Sequence, residues 1–374
     1  MEPYKRKGVT VLICTHNGEN NLKKTLQYLA KQNVNDDLEW EILIINNAST
    51  DNTRNAALKI WSDLKVDISF TVVDESQLGK DRAMDLGLEL SKYSYVIVCD
   101  DDNWLGYNYV QDSFSIMEKN PRIGMLGGKG IPAFDSPPPK WFDLYKTYYA
   151  VGSQSKISGE IKHFWPSYRF LWGAGVVIRM ETYYLLKKAG FRRILTYRKN
   201  PKVARSEDLE LCFAIWLTGY KLWYDKNLQY QHYISNDRLK WSYLLKVVKQ
   251  SISAIHYLRP YNILIFTGPE NAPKQSYWTQ YIKQYFSIKL FIQNYRHIEN
   301  LRSLVYFALG LHREDPQYIN QATFWYGFYS TIRLGRGYET NFKMVVKLQK
   351  NLAVLSSKKT KFNNEKNFSL AYKS

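Results

Sequence analysis

Short apolar runs alternate with amphipathic stretches through the first hundred residues of the chain. The runs are rich in β-branched and aromatic residues, which favours strands covered on both faces. The predicted strands cover residues 10–15, 40–45, 68–73 and 95–99. The predicted helical faces consist of Leu22, Leu26 and Leu29, of Ala57, Ile60, Trp61 and Leu64, and of Ala83, Leu86 and Leu90. This alternation predicts an α/β fold, a mostly parallel sheet with helices on both faces.

The rhythm changes after a fourth helix, which we expect near residues 109–119. Residues 124–139 are dense in Gly and Pro, so the alternation of strands and helices is expected to stop there. Residues 176–189 then predict a strand or a helix. The stretch 205–219 is typical of a helix that ends at a glycine, and residues 221–224 are typical of an edge strand.

Beyond residue 236 the pattern is mainly helical. Trp241, Leu244, Leu245 and Val248 form one apolar stripe at helical spacing. We therefore predict an α/β domain over residues 1–236 and a basic, aromatic-rich helical region over residues 237–355. The last segment, 356–374, is polar and lysine-rich, and we expect it to be disordered.

Composition narrows the class of protein. With 374 residues, 45% of them hydrophobic, the chain can bury a sizeable core and is not a disordered protein. Its three cysteines are odd in number and lack close paired spacing, which favours a reducing compartment and argues against structural zinc. The N-terminal pattern is not that of a signal peptide, and the apolar patches fall short of a membrane span. We therefore expect a cytoplasmic protein.

The net charge of +18 is unevenly distributed along the chain. Residues 237–374 hold 21 Lys or Arg against 7 Asp or Glu, a net charge of +14, which leaves +4 for residues 1–236. A basic segment that is also rich in aromatic residues indicates a surface for nucleic acid or for anionic lipid.

Three consecutive aspartates follow the apolar run at residues 95–99 without a spacer. Adjacent carboxylates repel one another unless cations or donors offset them, and ligands bind at the carboxyl ends of strands in α/β sheets. Because side chains alternate along an extended backbone, Asp100 and Asp102 can converge on one ion while Asp101 points away. Oxygen ligands favour Mg²⁺ or Mn²⁺. The alternative interpretation is a solvated acidic turn.

Five motifs in order resemble the family-2 glycosyltransferases, inverting enzymes with the Rossmann-like GT-A fold that use nucleotide sugars. The resemblance runs from about residue 9 to residue 232. It rests on Cys-Thr-His-Asn-Gly at 14–18, Asn-Asn-Ala-Ser-Thr-Asp at 46–51, Gly-Lys-Asp-Arg-Ala-Met-Asp-Leu-Gly at 79–87, the aspartate triplet, and Ser-Glu-Asp-Leu-Glu-Leu-Cys at 206–212. It implies that residues 1–236 form a GT-A catalytic domain of the type that builds bacterial polysaccharides and glycans.

The resemblance also implies a set of residues that bind the nucleotide sugar. They are Thr15, Asn17, Glu19, Asn47, Asp51, Lys80, Arg82, Asp100, Asp101, Gly173 and Ala174. Asn47 takes the place where many members have an aspartate that reads the base. An amide can donate as well as accept hydrogen bonds, so this departure leaves the base open. For Lys80 and Arg82 the alternative is a solvated start of a helix, and for the glycines at 173 and 175 a purely steric role.

Catalytic roles follow from the same resemblance. Asp208 is the expected general base, which removes the proton of the acceptor hydroxyl, and Glu207 is its supporting residue. Asp100, Asp102 and His232 are the expected ligands of a divalent Mg or Mn ion that offsets the charge of the departing diphosphate. The alternatives are a helix-capping role for the acidic pair and a structural role for the histidine.

The expected acceptor is a hydroxyl of a glycan or of a lipid-linked substrate. The resemblance implies action at the inner membrane face, where enzymes of this type commonly extend polysaccharides or lipid-linked oligosaccharides, and a basic aromatic appendage suits peripheral docking on an anionic membrane. Two other classes compete with this interpretation. One is a catalytically inactive scaffold with the GT-A fold, and the other is a nucleic-acid-binding protein that uses its basic C-terminal region. The second leaves the aspartate triplet and Glu207 with Asp208 unexplained, and we expect no nucleic acid partner.

Overall fold

The computed structural model describes residues 5–162, 170–196, 207–267, 319 and 337–357. Within these residues one sheet of nine strands forms the centre of the molecule. The strands are β1 (Arg6–Thr15), β2 (Trp40–Asn47), β3 (Ser69–Glu75), β4 (Tyr93–Cys99), β5 (Asn103–Leu105), β6 (Ile123–Ala133), β7 (Gly159–Glu160), β8 (Val177–Arg179) and β9 (Lys221–Tyr233).

The helices alternate with the strands as far as β4, and β5 then precedes α4. They are α1 (Leu22–Leu29), α2 (Thr53–Leu64), α3 (Lys80–Leu90), α4 (Tyr109–Lys119), α5 (Phe142–Tyr145), α6 (Met180–Lys188), α7 (Glu207–Leu217), α8 (Trp241–Tyr257), α9 (Arg259–Thr267) and α10 (337–357). Two short 3-10 helices cover Lys146–Tyr149 and Asn236–Leu239. The predicted α/β class is confirmed, and each of the four strands predicted first is present.

The strands follow the order β3-β2-β1-β4-β8-β6-β9-β5, and β7 also pairs with β9. The first four strands pair in parallel, as the sequence predicts. Beyond β4 the sheet is mixed, because β8 runs antiparallel to both of its neighbours and β9 runs parallel to β6. The parallel order therefore holds for the part of the sheet in which βα units repeat.

Helices cover both faces of the sheet. Helices α3, α6 and α7 pack on one face against Leu12, Val96 and Val98. Helices α1, α2 and α4 pack on the other face against Ile13 and Ile97. The predicted buried face of α3 is wrong at one position, since Leu90 is 45% exposed at the last turn of the helix.

The sequence suggested that the glycine-rich segment at 124–139 interrupts the strands and helices. In the structure this segment instead contributes most of the 11-residue strand β6. A β-carbon at Gly128 would lie 2.2 Å from the carbonyl oxygen of Leu228, and one at Gly130 would lie 2.2 Å from that of Ala150. Glycine is present because neighbouring backbone approaches too closely for any side chain. This tertiary requirement, and not a turn, explains the composition.

The prediction of an edge strand at 221–224 is also wrong. Strand β9 extends over 13 residues and pairs with β6 on one side and with β5 and β7 on the other. Two-sided pairing of β9 carries the chain to His232, which pairs with Asn103 directly after the aspartate triplet.

The C-terminal helices share their cores with the sheet domain. The predicted stripe of α8 is buried, and its first residue, Trp241, contacts Trp141 edge to face with ring centroids 5.4 Å apart. Val345, Leu348 and Leu352 of α10 belong to the same apolar cluster as α6 and α7. Most of region 268–336 and all of the tail from 358, for which we predicted disorder, lie outside the described residues.

Among the helices that the structure describes, each is too short or too polar to cross a membrane.

The packing of α10 generates a stability prediction. We expect Leu348→Ala to lower the free energy of unfolding by about 2–5 kcal/mol, because it leaves a cavity in the core shared with α6 and α7. Val354→Ala on the same helix is the control, since Val354 is 53% exposed and its truncation should cost less than about 0.5 kcal/mol. Thermal unfolding of the two variants measures the difference. Equal melting temperatures would contradict the packing of α10 on the core that it shares with α6 and α7.

Candidate active site

Most of the predicted site residues lie at one edge of the sheet. The carboxyl ends of β1, β2 and β4 meet there because these strands are parallel. Strand β8 runs antiparallel to β4, so the segment 173–176 before it reaches the same edge, where the amide of Val98 donates to the carbonyl of Val176 at 2.8 Å. Strand β9 brings His232 to this edge as well.

Two loops form the first wall of the site. Asn17 adopts a left-handed backbone with φ of 55°, and its amide N–H donates to Ser49 Oγ at 2.9 Å. The amide of Thr50 donates back to Asn17 Oδ1 at 2.8 Å. The amide of Gly18 donates to Thr53 Oγ1, also at 2.8 Å. These bonds tie the loop after β1 to the loop after β2.

Glu19 and Asp51 extend the same contact. The amide of Glu19 donates to Asp51 Oδ2 at 3.3 Å, and the amide of Asn52 donates to Glu19 Oε2 at 3.1 Å. Burial acts to raise the pKa of Asp51, but hydrogen bonds from Thr53 and from the Glu19 amide outweigh it and lower the pKa. In this structure Asn17, Glu19 and Asp51 thus shape the two loops by holding them together.

Asn47 is directed into the protein and is 3% exposed. Its Nδ2 donates to the carbonyl of Gln77 at 2.8 Å, and its Oδ1 accepts from the amide of Gly79 at 2.8 Å. The side chain therefore positions the loop between β3 and α3. Reading of the base by Asn47 stays a prediction, and the contacts described here give it a different task.

The three carboxylates of the triplet take separate partners. Lys80 Nζ donates to Asp100 Oδ1 at 2.6 Å. Thr15 Oγ1 donates to Asp101 Oδ2 at 2.5 Å, so Asp101 takes a different partner from Asp100. Burial and the charge of Asp102 raise the pKa of Asp101 to about 6. Arg82 is half-buried in the first turn of α3, beside Lys80.

Asp102 is 6% exposed and lies between two basic side chains. Arg238 Nη1 donates to Asp102 Oδ2 at 2.7 Å, and His232 Nε2 lies 3.5 Å from Asp102 Oδ1. Burial by itself raises the pKa of Asp102, yet His232 and Arg238 hold it well below its usual range. Arg238 was not predicted from the sequence, because it lies beyond the last motif and its only signal is the general excess of basic residues in that region.

Asp208 and Gly173 meet in close contact. The amide of Gly173 donates to Asp208 Oδ2 at 2.8 Å, and the amide of Leu209 donates to Oδ1 at 2.8 Å. A β-carbon at Gly173 would lie 3.0 Å from Asp208 Oδ2, so a larger residue would displace the carboxylate. The backbone of Glu207 begins α7, and its side chain lies outside what the structure describes.

The rest of the 173–175 segment packs below the site. Ala174 is buried in the apolar cluster, and Gly175 has a φ of +68°. Tyr109 Oη donates to the carbonyl of Gly175 at 2.5 Å and would lie 2.6 Å from a β-carbon there. A purely steric need for glycine is thus present at Gly175, whereas Gly173 makes the hydrogen bond that orients Asp208.

Tyr230 connects the two acidic groups. Burial raises the pKa of its phenol well above the usual value, and the charges of Asp100, Asp102 and Asp208 raise it further. The backbone links the two groups as well, because the segment 173–176 donates to Asp208 through the amide of Gly173 and accepts from the amide of Val98, two residues before Asp100, through the carbonyl of Val176.

The predicted ligand set is only partly assembled. Asp102 and His232 are in contact, whereas Asp100 pairs with Lys80. Among the described residues no three His, Cys, Asp or Glu side chains are arranged to hold a metal ion. The chemistry of the carboxylates still fits the expected group, because carboxylate oxygens suit Mg²⁺ and Mn²⁺. Within the part of the chain that the structure describes, His232 Nδ1 is buried without a hydrogen-bond partner, whereas Nε2 faces Asp102 and Arg238.

Glu210 is a second residue that sequence reasoning missed. Its buried carboxylate accepts from the amides of Ile194 at 2.6 Å and Leu195 at 2.9 Å, and Tyr261 Oη lies 3.3 Å from Oε1. Burial raises its pKa to about 7, although these donors act in the opposite direction. Glu210 ties α7, which carries Asp208, to the preceding loop and to α9. A charged residue inside the apolar sequence of α7 was the available signal.

Comparison with known proteins identifies relatives of part of the chain. A family model described as glycosyl transferase family 2 matches residues 10–197. The poly-beta-1,6-N-acetyl-D-glucosamine synthase of Staphylococcus epidermidis is 29% identical over 123 residues, which are 33% of this chain and 28% of that protein. The poly(ribitol-phosphate) beta-N-acetylglucosaminyltransferase TarS of Staphylococcus aureus is 25% identical over 129 residues, 33% of this chain and 22% of that protein. The chain thus matches less than a third of the length of either relative.

A solved structure supports the fold. The mannosyltransferase PcManGT from Pyrobaculum calidifontis, in complex with GDP-Man and Mn²⁺, superposes with a TM-score of 0.52 at 16% identity. The superposition covers 89% of this chain and 88% of the other. It shows that the architecture extends beyond the segment that the family model matches.

The contacts of Glu210 generate a pH prediction. The folded protein holds the Glu210 proton up to about pH 7, whereas the unfolded chain releases it near the ordinary value of 4.5. The folded state therefore binds more protons in this window, and this group's contribution to stability is lost as pH rises through it. Glu210→Gln removes the titration, so we expect the melting temperature of the wild type to fall relative to the variant between pH 5 and pH 8.

Glu39→Gln serves as the matched control, because Glu39 is exposed. Its melting temperature should follow that of the wild type at both pH values. A pH-independent difference between the wild type and Glu210→Gln would show that Glu210 does not titrate in this window.

Proposed function

The chain belongs to glycosyl transferase family 2, and from this premise we propose that it transfers a sugar from a nucleoside diphosphate sugar to a hydroxyl of a glycan or lipid-linked acceptor, with inversion. The observation that carries the proposal is the segment 173–176, which donates to Asp208 through the amide of Gly173 and accepts from the amide of Val98, two residues before Asp100, through the carbonyl of Val176. An inverting transfer needs a base on one side of the sugar and offset charge at the diphosphate on the other. The two acidic groups suit these two tasks.

Asp208 acts as the general base in this proposal. The amides of Gly173 and Leu209 each donate to a different oxygen of its carboxylate, which fixes the orientation of the group. A carboxylate is a suitable acceptor for the proton of an acceptor hydroxyl. As the hydroxyl oxygen attacks the anomeric carbon, its proton passes to Asp208 and the bond to the diphosphate breaks.

The departing diphosphate needs positive charge at the other end of the site. Asp100, Asp102 and His232 would hold a divalent ion, which when bound supplies Lewis-acid stabilisation of the leaving group. Lys80 lies against Asp100, and its ammonium group adds positive charge beside the proposed ion. Asp101 accepts a hydrogen bond from Thr15 and is not one of these ligands. Its proposed role is to position Thr15 and the loop after β1.

The loops after β1 and β2 are the proposed nucleotide side of the site. Their mutual hydrogen bonds involve Asn17, Glu19 and Asp51, three of the residues expected to contact the nucleotide.

Both curated relatives carry N-acetylglucosamine in their names, so we propose an N-acetylhexosamine donor and a polysaccharide or polymer acceptor. Incubation with Mn²⁺ and either UDP-GlcNAc or GDP-mannose, followed by measurement of released nucleoside diphosphate, tests the donor. Absence of turnover with a broad donor panel would favour the inactive-scaffold alternative.

The role of Asp208 generates a kinetic prediction. Asp208→Asn should leave donor affinity within about twofold and lower the rate of transfer by a factor of roughly 10²–10⁴, the usual contribution of a general base. Donor affinity by calorimetry and transfer rate must be measured on one preparation. Asp63→Asn, a change of an exposed aspartate on α2, is the control and should alter neither quantity. Weaker donor binding with normal turnover at saturation would mean that Asp208 binds the donor instead.

We also propose that the C-terminal region docks on an anionic membrane at the inner face. Three exposed lysines of α10, Lys343, Lys347 and Lys350, follow each other at helical spacing on the side opposite the buried Val345 and Leu348. Electrostatic attraction is worth about 1 kcal/mol for each basic residue near such a surface, so the three together contribute about 3 kcal/mol. This attraction weakens as salt shortens the Debye length.

Reversal of these charges tests the docking proposal. The triple change of Lys343, Lys347 and Lys350 to Glu should weaken binding of the full chain to phosphatidylglycerol vesicles by about 100-fold at low salt. A control with the same net charge reverses three exposed lysines on other elements, namely Lys59, Lys65 and Lys119. Equal effects of both triple variants would indicate a dependence on net charge alone. Binding of the wild type to oligonucleotides but not to vesicles would favour the nucleic-acid alternative.

A further inference from the structure

Arg238 contributes a cation to the aspartate site from outside the matched family segment, which ends at residue 197. Its Nη1 lies 2.7 Å from Asp102 Oδ2 and 3.4 Å from His232 Nε2. One guanidinium thus contacts two of the three side chains that the proposed function assigns to a divalent ion, Asp102 and His232. The contact joins residues 136 positions apart in the sequence, so only the folded chain creates it.

The backbone of Arg238 is held firmly while its side chain retains access to solvent. Tyr149 Oη donates to the carbonyl of Arg238 at 3.0 Å, and the next residue, Leu239, is buried in an apolar cluster. The side chain itself is 36% exposed. Its Nε and Nη2 make no hydrogen bond with any residue that the structure describes. Arg238 is therefore anchored at its base and has donors available at its tip.

The ion pair between Arg238 and Asp102 depends on which other cations are near Asp102. Asp102 is the more buried of the two outer carboxylates, with 7% of its side chain exposed against 23% for Asp100. A buried carboxylate keeps its charge only with a cation nearby, and Arg238 meets this need. A divalent ion on the same carboxylate would meet it too, but it would repel the guanidinium at contact distance. Arg238 in its present position and a divalent ion would therefore compete for Asp102.

We infer that Arg238 is an exchangeable counter-ion, which neutralises Asp102 until a divalent ion takes that carboxylate and then donates to the diphosphate of the sugar donor. The inference rests on the proposed function and deepens it. A planar guanidinium suits the second role, because its paired N–H groups match two phosphate oxygens. Because the backbone of Arg238 is anchored, its guanidinium can move only a short distance. The positive charge therefore stays at the site in both arrangements.

Two binding measurements on the full chain test the exchange. The first titrates Mn²⁺ alone and follows the EPR signal of the unbound ion. The second titrates inorganic pyrophosphate at saturating Mn²⁺ by calorimetry, which avoids any dependence on the base or the sugar. We expect Arg238→Gln to bind Mn²⁺ about tenfold more tightly and pyrophosphate about tenfold more weakly. Opposite changes for the two ligands are the signature of exchange, since a merely structural loss would weaken both.

Matched variants separate charge from geometry. Lys240→Gln removes one positive charge from a 65% exposed side chain two residues away and should change both affinities less than twofold. Arg238→Lys keeps the charge but loses the fork, so we expect Mn²⁺ affinity close to that of the wild type and pyrophosphate affinity still reduced. Circular dichroism and melting temperature establish that each variant is folded.

Each outcome decides between the two levels of the proposal. Unchanged or weaker Mn²⁺ binding by folded Arg238→Gln, with normal binding by the wild type, would overturn the exchange and leave the proposed transferase intact. Tighter Mn²⁺ binding with unchanged pyrophosphate binding would also overturn it, because Arg238 would then act on Asp102 alone. Failure of the wild type to bind Mn²⁺ would overturn both the proposed metal site and the exchange.

Discussion

Repulsion among three adjacent carboxylates is the constraint on which the structure around the site depends. The triplet follows directly from a buried strand, so water alone cannot dissipate its charge. Each carboxylate is offset by a partner from a different part of the chain, Lys80 for Asp100, Thr15 for Asp101 and Arg238 for Asp102. The loop after β1, the start of α3 and the end of β9 are thereby drawn to the same edge of the sheet.

Close approach of backbone is the second requirement of the site. Gly173 allows the Asp208 carboxylate to accept from its own amide, and Gly175 allows Tyr109 to pass under the same segment. Gly128 and Gly130 of β6 play a related part, since they let neighbouring backbone reach the strand. The glycines of this chain therefore mark places where elements are pressed together around the site and not only where the chain turns.

Asp208 is held through the core as well as through the site. Glu210 binds two backbone amides of the loop that precedes α7 and contacts Tyr261 of α9. Leu348 and its neighbours on α10 pack into the same cluster as α7. Helices from the basic C-terminal region are thus part of the support of Asp208. The boundary predicted after residue 236 marks a change in surface charge. The cores on the two sides of it are nevertheless packed together.

The sequence by itself determined the α/β class, the first four strands and helices, and the candidate carboxylates, because hydrophobic periodicity and short motifs report local structure and local chemistry. It failed at β6 and at the edge strand, where glycine content and a short apolar run were read without the partner strands that explain them. It also could not find Arg238 or the task of Asn47. The contact between Arg238 and Asp102, like that between Asn47 and the amide of Gly79, depends on distances between segments that are remote in sequence. Only the tertiary structure decided these, since local pattern carries no information about which distant charge or backbone group will meet a given side chain.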